Sequence, residues 1–291
     1  MRLALKFNLV LLIVFGLGFG AAALFSRSLL QQSAREETLE DARLIMESAL
    51  ASRAYTSTQV APLLKRLGED DFFPQSVPAF GATEQFDALH AQFPDFSYKE
   101  ATLNPTNLRD RATDWEVDIV NRFRQDSTLH EIVGERDTPN GRSLYLGKPI
   151  AINDAACLGC HSTVDAAPKA MLKRYGPANG FGWQLHETVG AQLVSVPMTV
   201  PLAHADAAFY AFVASLGSVF AVVFVVLNLM LTLMVVRRVV RLSAIADAVS
   251  LGKIDGPDFP ATGTDEVARL AHSFNRMKKS VEHAIKMLED P

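Results

Sequence analysis

Two cysteines and a histidine are the residues whose type and spacing point most directly to chemistry. Cys157, Cys160 and His161 lie within five consecutive residues, and the 291-residue chain holds no other cysteine. Cys-x-x-Cys-His is the attachment signature of c-type haem. The two thiols reach the vinyl groups on one porphyrin edge, and the imidazole that follows ligates the iron. The sequence therefore predicts one covalently bound haem c, held by these three residues.

Other uses of a Cys-x-x-Cys pair fit the surrounding sequence less well. A thioredoxin-like redox pair would stand in a βαβ pattern, and no such pattern surrounds this one. A zinc site would need a second pair of ligands, and none is visible. Two ordinary buried cysteines are the remaining alternative. Haem attachment is the hypothesis that uses all three residues.

The sequence leaves the sixth iron ligand open. A thiolate is excluded because the chain has no third cysteine. An imidazole, a thioether, a water molecule or an open position all remain compatible with the motif. The candidate side chains are Met46, His90, His130, His186 and Met171.

Two apolar runs predict membrane-spanning helices. Residues 7–25 contain Asn8 as their only clearly polar side chain, and residues 209–236 carry no charge. A run of about 20 apolar residues matches the hydrocarbon thickness of a bilayer. Cleavage of the first run as a signal peptide stays an alternative, because three consecutive alanines (residues 21–23) offer small residues to a signal peptidase.

Flanking charges predict the orientation. Arg2 and Lys6 precede the first run, and Arg237, Arg238 and Arg241 follow the second. By the positive-inside rule both termini are expected in the cytoplasm. We expect a two-pass protein of the bacterial inner (plasma) membrane, whose periplasmic haem domain lies between the two runs. The expected segments are 1–6 cytoplasmic, 7–25 membrane, 26–208 periplasmic, 209–236 membrane and 237–291 cytoplasmic.

Composition narrows the class of protein. The formal net charge is −4, which gives no basic excess for binding nucleic acid. No HExxH or nucleophile–base pattern is visible, so we expect no enzymatic activity.

Local patterns predict an α+β domain between the membrane runs. The hairpin Leu129–Arg136 and Arg142–Ile152 has a turn at Thr138–Gly141, and a third strand follows at Thr188–Met198. A small antiparallel sheet with helices, of the PAS-like sensor kind, is the expected fold class. The predicted helices are residues 34–67 (broken near Tyr55 or Pro62), 85–92, 108–125 (capped by Asn107) and 167–175, with a loop over 68–81.

Residues 45–198 also resemble a known family, the Tll0287-like c-type haem sensor domains. The resemblance implies a PAS-like fold and a haem bound at the Cys-x-x-Cys-His motif. It is carried by the motif itself and, in the same order as in the family, by Arg53–Thr56, Tyr98–Asn107, Arg111–Glu116, Tyr175-Gly176, Gly180–Trp183 and Val189–Pro197.

The C-terminal segment, residues 237–291, resembles a HAMP linker. Phe274-Asn275-Arg276-Met277 matches the family's FNxM pattern, whereas Arg238 and Ala268 replace a proline and a glycine common in the family. HAMP modules are parallel dimers, so the resemblance implies a homodimer with an all-α coiled coil. The apolar residues form a stripe of Val239, Leu242, Ala246 and Val249, connector residues Ile254 and Phe259, and a heptad seam of Val267, Leu270, Phe274, Met277, Val281, Ala284 and Leu288.

Together these features predict a sensor. A periplasmic haem would detect redox state or a diatomic gas, and HAMP would pass the change on. Because few residues follow HAMP, we expect a separate cytoplasmic partner of unknown identity. The alternative is a membrane-anchored periplasmic electron-transfer cytochrome c, although a carrier needs only an anchor and no HAMP.

Overall fold

The computed structural model describes residues 3–67, 72–253 and 255–289. The chain forms two compact units, one of Arg27–Ala208 and one of Met1–Ser26 with Phe209–Pro291. The strands are β1 Ser97–Thr102, β2 Ile132–Thr138, β3 Gly141–Ala151 and β4 Thr188–Pro197. The helices are α1 Leu3–Tyr55, α2 Ala61–Lys65, α3 Pro78–His90, α4 Asp114–Gln125, α5 Leu158–His161, α6 Lys169–Tyr175, α7 Thr199–Met230, α8 Arg237–Ser250 and α9 Glu266–Glu289.

One four-stranded sheet in the order β1-β4-β3-β2 forms the centre of the first unit, and all neighbours are antiparallel. The predicted hairpin is confirmed, with Thr138 opposite Gly141 and only Pro139 and Asn140 between them. β4 lies between β1 and β3 and is buried along most of its length. The antiparallel sheet and its helices confirm the expected mixed fold class.

Helices cover both faces of the sheet. On one face Ala42 and Met46 of α1 and Phe86 of α3 pack against Tyr98 and Val194 of the strands. On the other face α4 contributes the buried residues Ile119, Val120 and Phe123, which pack against Ala101 and Leu193. The ends of β1 and β3 and the start of β4 meet at one edge of this sandwich, because Thr102 and Ile150 both face Gly190.

The strand β1 was missing from the sequence prediction. Lys99 and Glu100 lie at its centre, and these residue types are depleted in strands. Ion pairs with two helices neutralise both charges: Lys99 pairs with Glu116 of α4, and Glu100 pairs with Arg53 of α1. Tertiary contacts therefore override the weak local preference.

Helix boundaries also differ from the prediction in places. The helix predicted over 108–125 begins at Asp114, because the Glu116 carboxylate accepts from Thr113 N–H at 2.7 Å as in a capping box. Asn107 instead caps a single 3₁₀ turn, Leu108–Asp110. The helix expected over 85–92 begins at Pro78, inside the segment predicted as loop. Near Tyr55, where a break was expected, the helix is not interrupted: it widens to a π-helical turn over Thr56–Val60 and continues to Lys65.

The second unit contains long apolar helical segments and the C-terminal helix pair. Two helices of the described residues are long and apolar enough to cross a membrane, Ala4–Lys65 and Thr199–Ser250. Their apolar windows are not buried in protein. Phe15 stacks on Phe220 at 5.0 Å between ring centroids, so the two apolar segments contact each other within this unit.

The helix pair α8 and α9 buries Leu242, Val249, Phe259 and Ala271. Phe259 of the connector stacks on Phe274 of α9, with ring centroids 5.1 Å apart. Four residues of the predicted seam are exposed in the single chain, namely Leu270, Met277, Val281 and Ala284. Ile254 and the Leu288 side chain lie outside the described residues.

Asn275 fixes this connector through both ends of its amide. Its Oδ1 accepts from Phe259 N–H at 2.8 Å, and its Nδ2 donates to Phe259 C=O at 2.9 Å. We expect Asn275→Ala to destabilise the helix pair by about 1–3 kcal/mol, because it leaves both half-buried peptide groups unpaired. Chemical unfolding followed by α-helical circular dichroism measures this loss. Ser280→Ala, on the same helix and exposed, is the control, and an equal loss in both variants contradicts the prediction.

Candidate functional site

The Cys-x-x-Cys-His motif lies just beyond the end of β3. A 3₁₀ turn over Ala155–Cys157 leads directly into α5, and the Asp154 carboxylate accepts from Ala156 N–H at 2.8 Å. Cys157 and Cys160 are therefore three residues apart in continuous helical backbone, which places them on one side. Both thiols are free and half-buried. Burial raises the pKa of each thiol, and Asp154 adds to the rise at Cys157.

The His161 imidazole is held in one orientation. Its Nδ1 lies 2.8 Å from the Gly180 carbonyl oxygen, and its ring stacks on Trp183 with centroids 3.9 Å apart and planes 13° apart. Because a carbonyl only accepts, Nδ1 carries the proton and Nε2 keeps its lone pair. Burial lowers the pKa of His161 and favours this neutral form. The arrangement is that of a metal-ligating histidine whose other nitrogen is fixed by an outer hydrogen bond.

The loop that supplies the Gly180 carbonyl is tied down on two sides. Gly182 N–H donates to Ser162 C=O at 3.0 Å, and Trp183 N–H donates to His161 C=O at 3.2 Å. On the other side the Asn104 amide donates to Phe181 C=O and accepts from Gly180 N–H, both at 3.1 Å.

Sequence reasoning gave no role to Asn104. Asn104 belongs to the Asn-Pro-Thr-Asn run that supports the family resemblance. Its hydrogen-bond partners, however, lie more than 70 residues away along the chain.

A buried ion pair links α1 to β1. Glu100, only 4% exposed, accepts from Arg53 and from the Tyr98 hydroxyl, the latter at 2.8 Å. Burial, together with the Glu100 charge, raises the pKa of Tyr98, which keeps its hydroxyl as a donor. Burial has the largest effect on the pKa of Cys157 and raises it. The positive charge of Arg53 acts in the opposite direction and lowers this pKa, so Arg53 interacts electrostatically with the motif. Arg53 thus connects the end of α1 with the sheet beside the cysteines.

The structure places the candidate sixth ligands in different surroundings. Met46 is fully buried in the core between α1 and the sheet, and Met171 is buried on α6. His90 is exposed, with Nδ1 2.7 Å from Phe96 C=O, and His130 is exposed before β2. His186 is exposed and has a φ of 65°. Which of them, if any, completes the iron coordination stays a prediction.

Gly180 offers a direct test of the histidine support. It has a φ of +87°, and a Cβ there would lie 2.1 Å from Thr106 Oγ1 and 2.8 Å from Thr106 Cα. A left-handed backbone costs a residue with a Cβ about 1–2 kcal/mol. Because the close approach to Thr106 adds to this cost, we expect Gly180→Ala to lower the unfolding free energy by more than that amount. It also moves the carbonyl that accepts from His161 Nδ1.

Gly182→Ala is the matched control for Gly180→Ala. Gly182 has a similar φ of +83°, and nothing lies within 4 Å of its Cβ position. The two variants are compared by their unfolding free energies and by the reduction potential of the haem in the matured protein. Equal losses and equal potentials contradict a specific role for the Gly180 carbonyl.

The three motif residues have the chemistry that a covalent haem requires. Two free thiols stand one helical turn apart, and the imidazole that follows presents Nε2 with its lone pair. Fold and site together define an α+β domain built around a Cys-x-x-Cys-His motif, in a chain with two apolar helices.

Comparisons with known proteins agree with this class. The Tll0287-like family model matches residues 31–197, and the HAMP domain model matches residues 230–283. The chain belongs to the Tll0287-like family and carries a HAMP domain after it.

One similar solved structure is the crystal structure of the cyanobacterial heme-protein Tll0287, with 16% sequence identity and a TM-score of 0.44. The similarity covers 55% of this chain and 95% of that chain. No curated protein matches the chain.

Proposed function

We propose that this protein is a membrane-bound haem sensor. One haem c would be held through thioethers to Cys157 and Cys160, with His161 as an axial iron ligand. The domain would detect redox state or a diatomic gas and pass the change through HAMP to a cytoplasmic partner. We propose a receptor and not an enzyme.

The single observation that carries this proposal is the fixed His161 imidazole beside two free thiols. The hydrogen bond from Nδ1 to the Gly180 carbonyl leaves Nε2 as the nitrogen for iron. When bound, haem supplies an iron whose oxidation state and coordination respond to electrons or small gases. The protein's part is to orient His161, through the loop that Asn104 holds, and to keep it neutral by burial.

Location follows from the apolar helices and the charges that flank them. Two helices long and apolar enough to span a bilayer support a two-pass protein of the bacterial inner membrane. Arginines at the start of α8 favour a cytoplasmic HAMP domain and a periplasmic haem domain. We propose that both termini are cytoplasmic and that the first apolar helix is retained as an anchor.

Signal transfer requires an element with two arrangements. A HAMP domain supports such a role, because its exposed Leu270, Met277 and Val281 would be covered in a parallel homodimer. The Arg53–Glu100 ion pair supports transfer through α1, since it joins that helix to β1 near the cysteines. A sheet flanked by helices suits the PAS-like sensor interpretation of the periplasmic domain.

The absorption spectrum of the full chain, matured with haem in detergent, tests the proposal. We expect a c-type spectrum that survives denaturation, because the cofactor is covalent. If carbon monoxide alters the reduced spectrum, the iron has an open or weakly held position and gas sensing becomes the favoured function. If carbon monoxide has no effect, a protein ligand caps the iron, and redox sensing or electron transfer becomes the favoured function. A chain that matures without a haem spectrum overturns the proposal.

A further inference from the structure

A cavity lies apart from the Cys-x-x-Cys-His motif, within the unit of Arg27–Ala208. It has a volume of about 410 Å³ and extends from α3, past the outer edge of β1, to the face of the sheet beside the start of α4. We call it the β1 cleft, and its lining includes Phe86, Asp110, Trp115, Arg136 and Leu193. None of the residues that contact His161 lines it. Its size is that of a small-molecule site.

Two of the cations in the β1 cleft are already neutralised. Lys99 Nζ lies 2.7 Å from a Glu116 carboxylate oxygen and also donates to Arg111 C=O at 2.9 Å. Arg109 lies 2.7 Å from Glu84 and 3.5 Å from Asp87. These pairs form part of the wall and leave little charge for a ligand.

Arg136 is different from the other two cations. Its guanidinium carbon lies 4.1 Å above the Trp115 ring, which holds the side chain against the wall. Among the described residues no carboxylate lies within ion-pair distance of Arg136. A guanidinium fixed on an aromatic face, with its N–H groups unpaired, is suited to bind a carboxylate.

Asp110 supplies the opposite charge. Its carboxyl is 19% exposed, and the charge partner that the structure gives it is Arg109 Nε, at 3.7 Å. That distance is too long for a hydrogen bond, and within the described part of the chain no donor bonds its carboxyl oxygens. Burial raises the pKa of Asp110 to about 6, so it is mostly ionised at neutral pH. The ammonium group of a ligand would supply the Asp110 carboxylate with hydrogen-bond donors and a positive charge.

We propose that the β1 cleft binds a small free amino acid. The ligand's carboxylate would pair with Arg136 and its ammonium group with Asp110, while its carbon chain contacts Trp115 and Leu193 on the α4 face of the sheet. A simple carboxylic acid would leave Asp110 unpaired, and a simple amine would leave Arg136 unpaired. The cleft therefore adds a second ligand input to the sensor domain, independent of haem.

Calorimetric titration of the full chain in detergent tests this proposal. The probes are L-leucine and 5-aminopentanoate, which differ in the spacing of their charges, with pentanoate and pentylamine as matched fragments. We expect at least one amino acid to bind at least tenfold more tightly than either fragment. Arg136→Gln and Asp110→Asn should each weaken that binding at least tenfold, and Arg136→Lys should weaken it less than Arg136→Gln.

Arg122→Gln is the control variant, because Arg122 lies on α4 outside the lining and is exposed. It should bind as the unchanged chain does. The proposal is overturned if neither amino acid gives saturable binding, or if pentanoate binds as tightly as the amino acids. It is also overturned if Arg136→Gln alters the haem spectrum without changing amino-acid binding, because the cleft then serves the haem. If the unchanged chain shows no haem spectrum, the haem proposal is rejected and the amino-acid proposal is unaffected.

Discussion

Replacing both cysteines, as Cys157→Ser with Cys160→Ser, is expected to abolish covalent haem attachment. A serine hydroxyl does not form the thioether, and the chain has no other cysteine to substitute. The single variants should each keep one thioether and a weaker haem stain. Haem staining after denaturing electrophoresis, with the haemochrome spectrum in pyridine, measures the result on chain co-produced with a cytochrome c maturation system.

Ser127→Ala is the control for the cysteine variants. Ser127 is an exposed residue of the same domain and is not a candidate ligand, so the variant should stain as strongly as the unchanged chain. Covalent haem that persists in the double cysteine variant contradicts the assignment of the motif. Equal loss in Ser127→Ala would show that staining reports folding and not attachment.

The second large effect is expected at the ion pair between α1 and β1. Arg53→Met removes the cation and leaves the Glu100 carboxylate, only 5% exposed, without its charge partner. Stranding a buried charge costs about 3–5 kcal/mol, whereas replacing both members with apolar residues is often neutral. We therefore expect Arg53→Met to be strongly destabilising and Arg53→Met with Glu100→Met to recover most of the loss. Denaturant unfolding followed by circular dichroism measures both.

Arg43→Met is a matched control on the same helix. Arg43 pairs with Glu131 at 2.9 Å, but its side chain is 53% exposed. Exposed ion pairs contribute little, so this variant should unfold close to the unchanged chain. If Arg53→Met behaves like Arg43→Met, the buried pair does not anchor α1 to the sheet.

The parts of the molecule that the sequence predicted are those set by near neighbours. The spacing of Cys157, Cys160 and His161 is local, and the hairpin follows from the two residues Pro139 and Asn140 between its strands. The widened helical turn after Tyr55 lies where the sequence predicted a break. Each of these features depends on residues a few positions apart, where side-chain type and backbone preference act directly.

The parts that sequence reasoning missed depend on distant partners. Strand β1 needs Arg53 and Glu116 to neutralise its charged residues. The acceptor for His161 Nδ1 is a backbone carbonyl at Gly180, and any residue type could supply one. Arg136 and Asp110 line one cleft although they belong to β2 and to the segment before α4, 26 residues apart along the chain.

The central claim is that the state of the haem reaches the HAMP domain. Hydrogen exchange of the amides in α8 and α9, measured on the full chain in lipid nanodiscs, tests it most directly. Samples with oxidised haem, reduced haem and reduced haem with carbon monoxide should differ in exchange there, and the double cysteine variant should not respond. Unchanged exchange in both helices, while the absorption spectrum shows that the haem has changed state, contradicts the sensor and favours an anchored electron carrier.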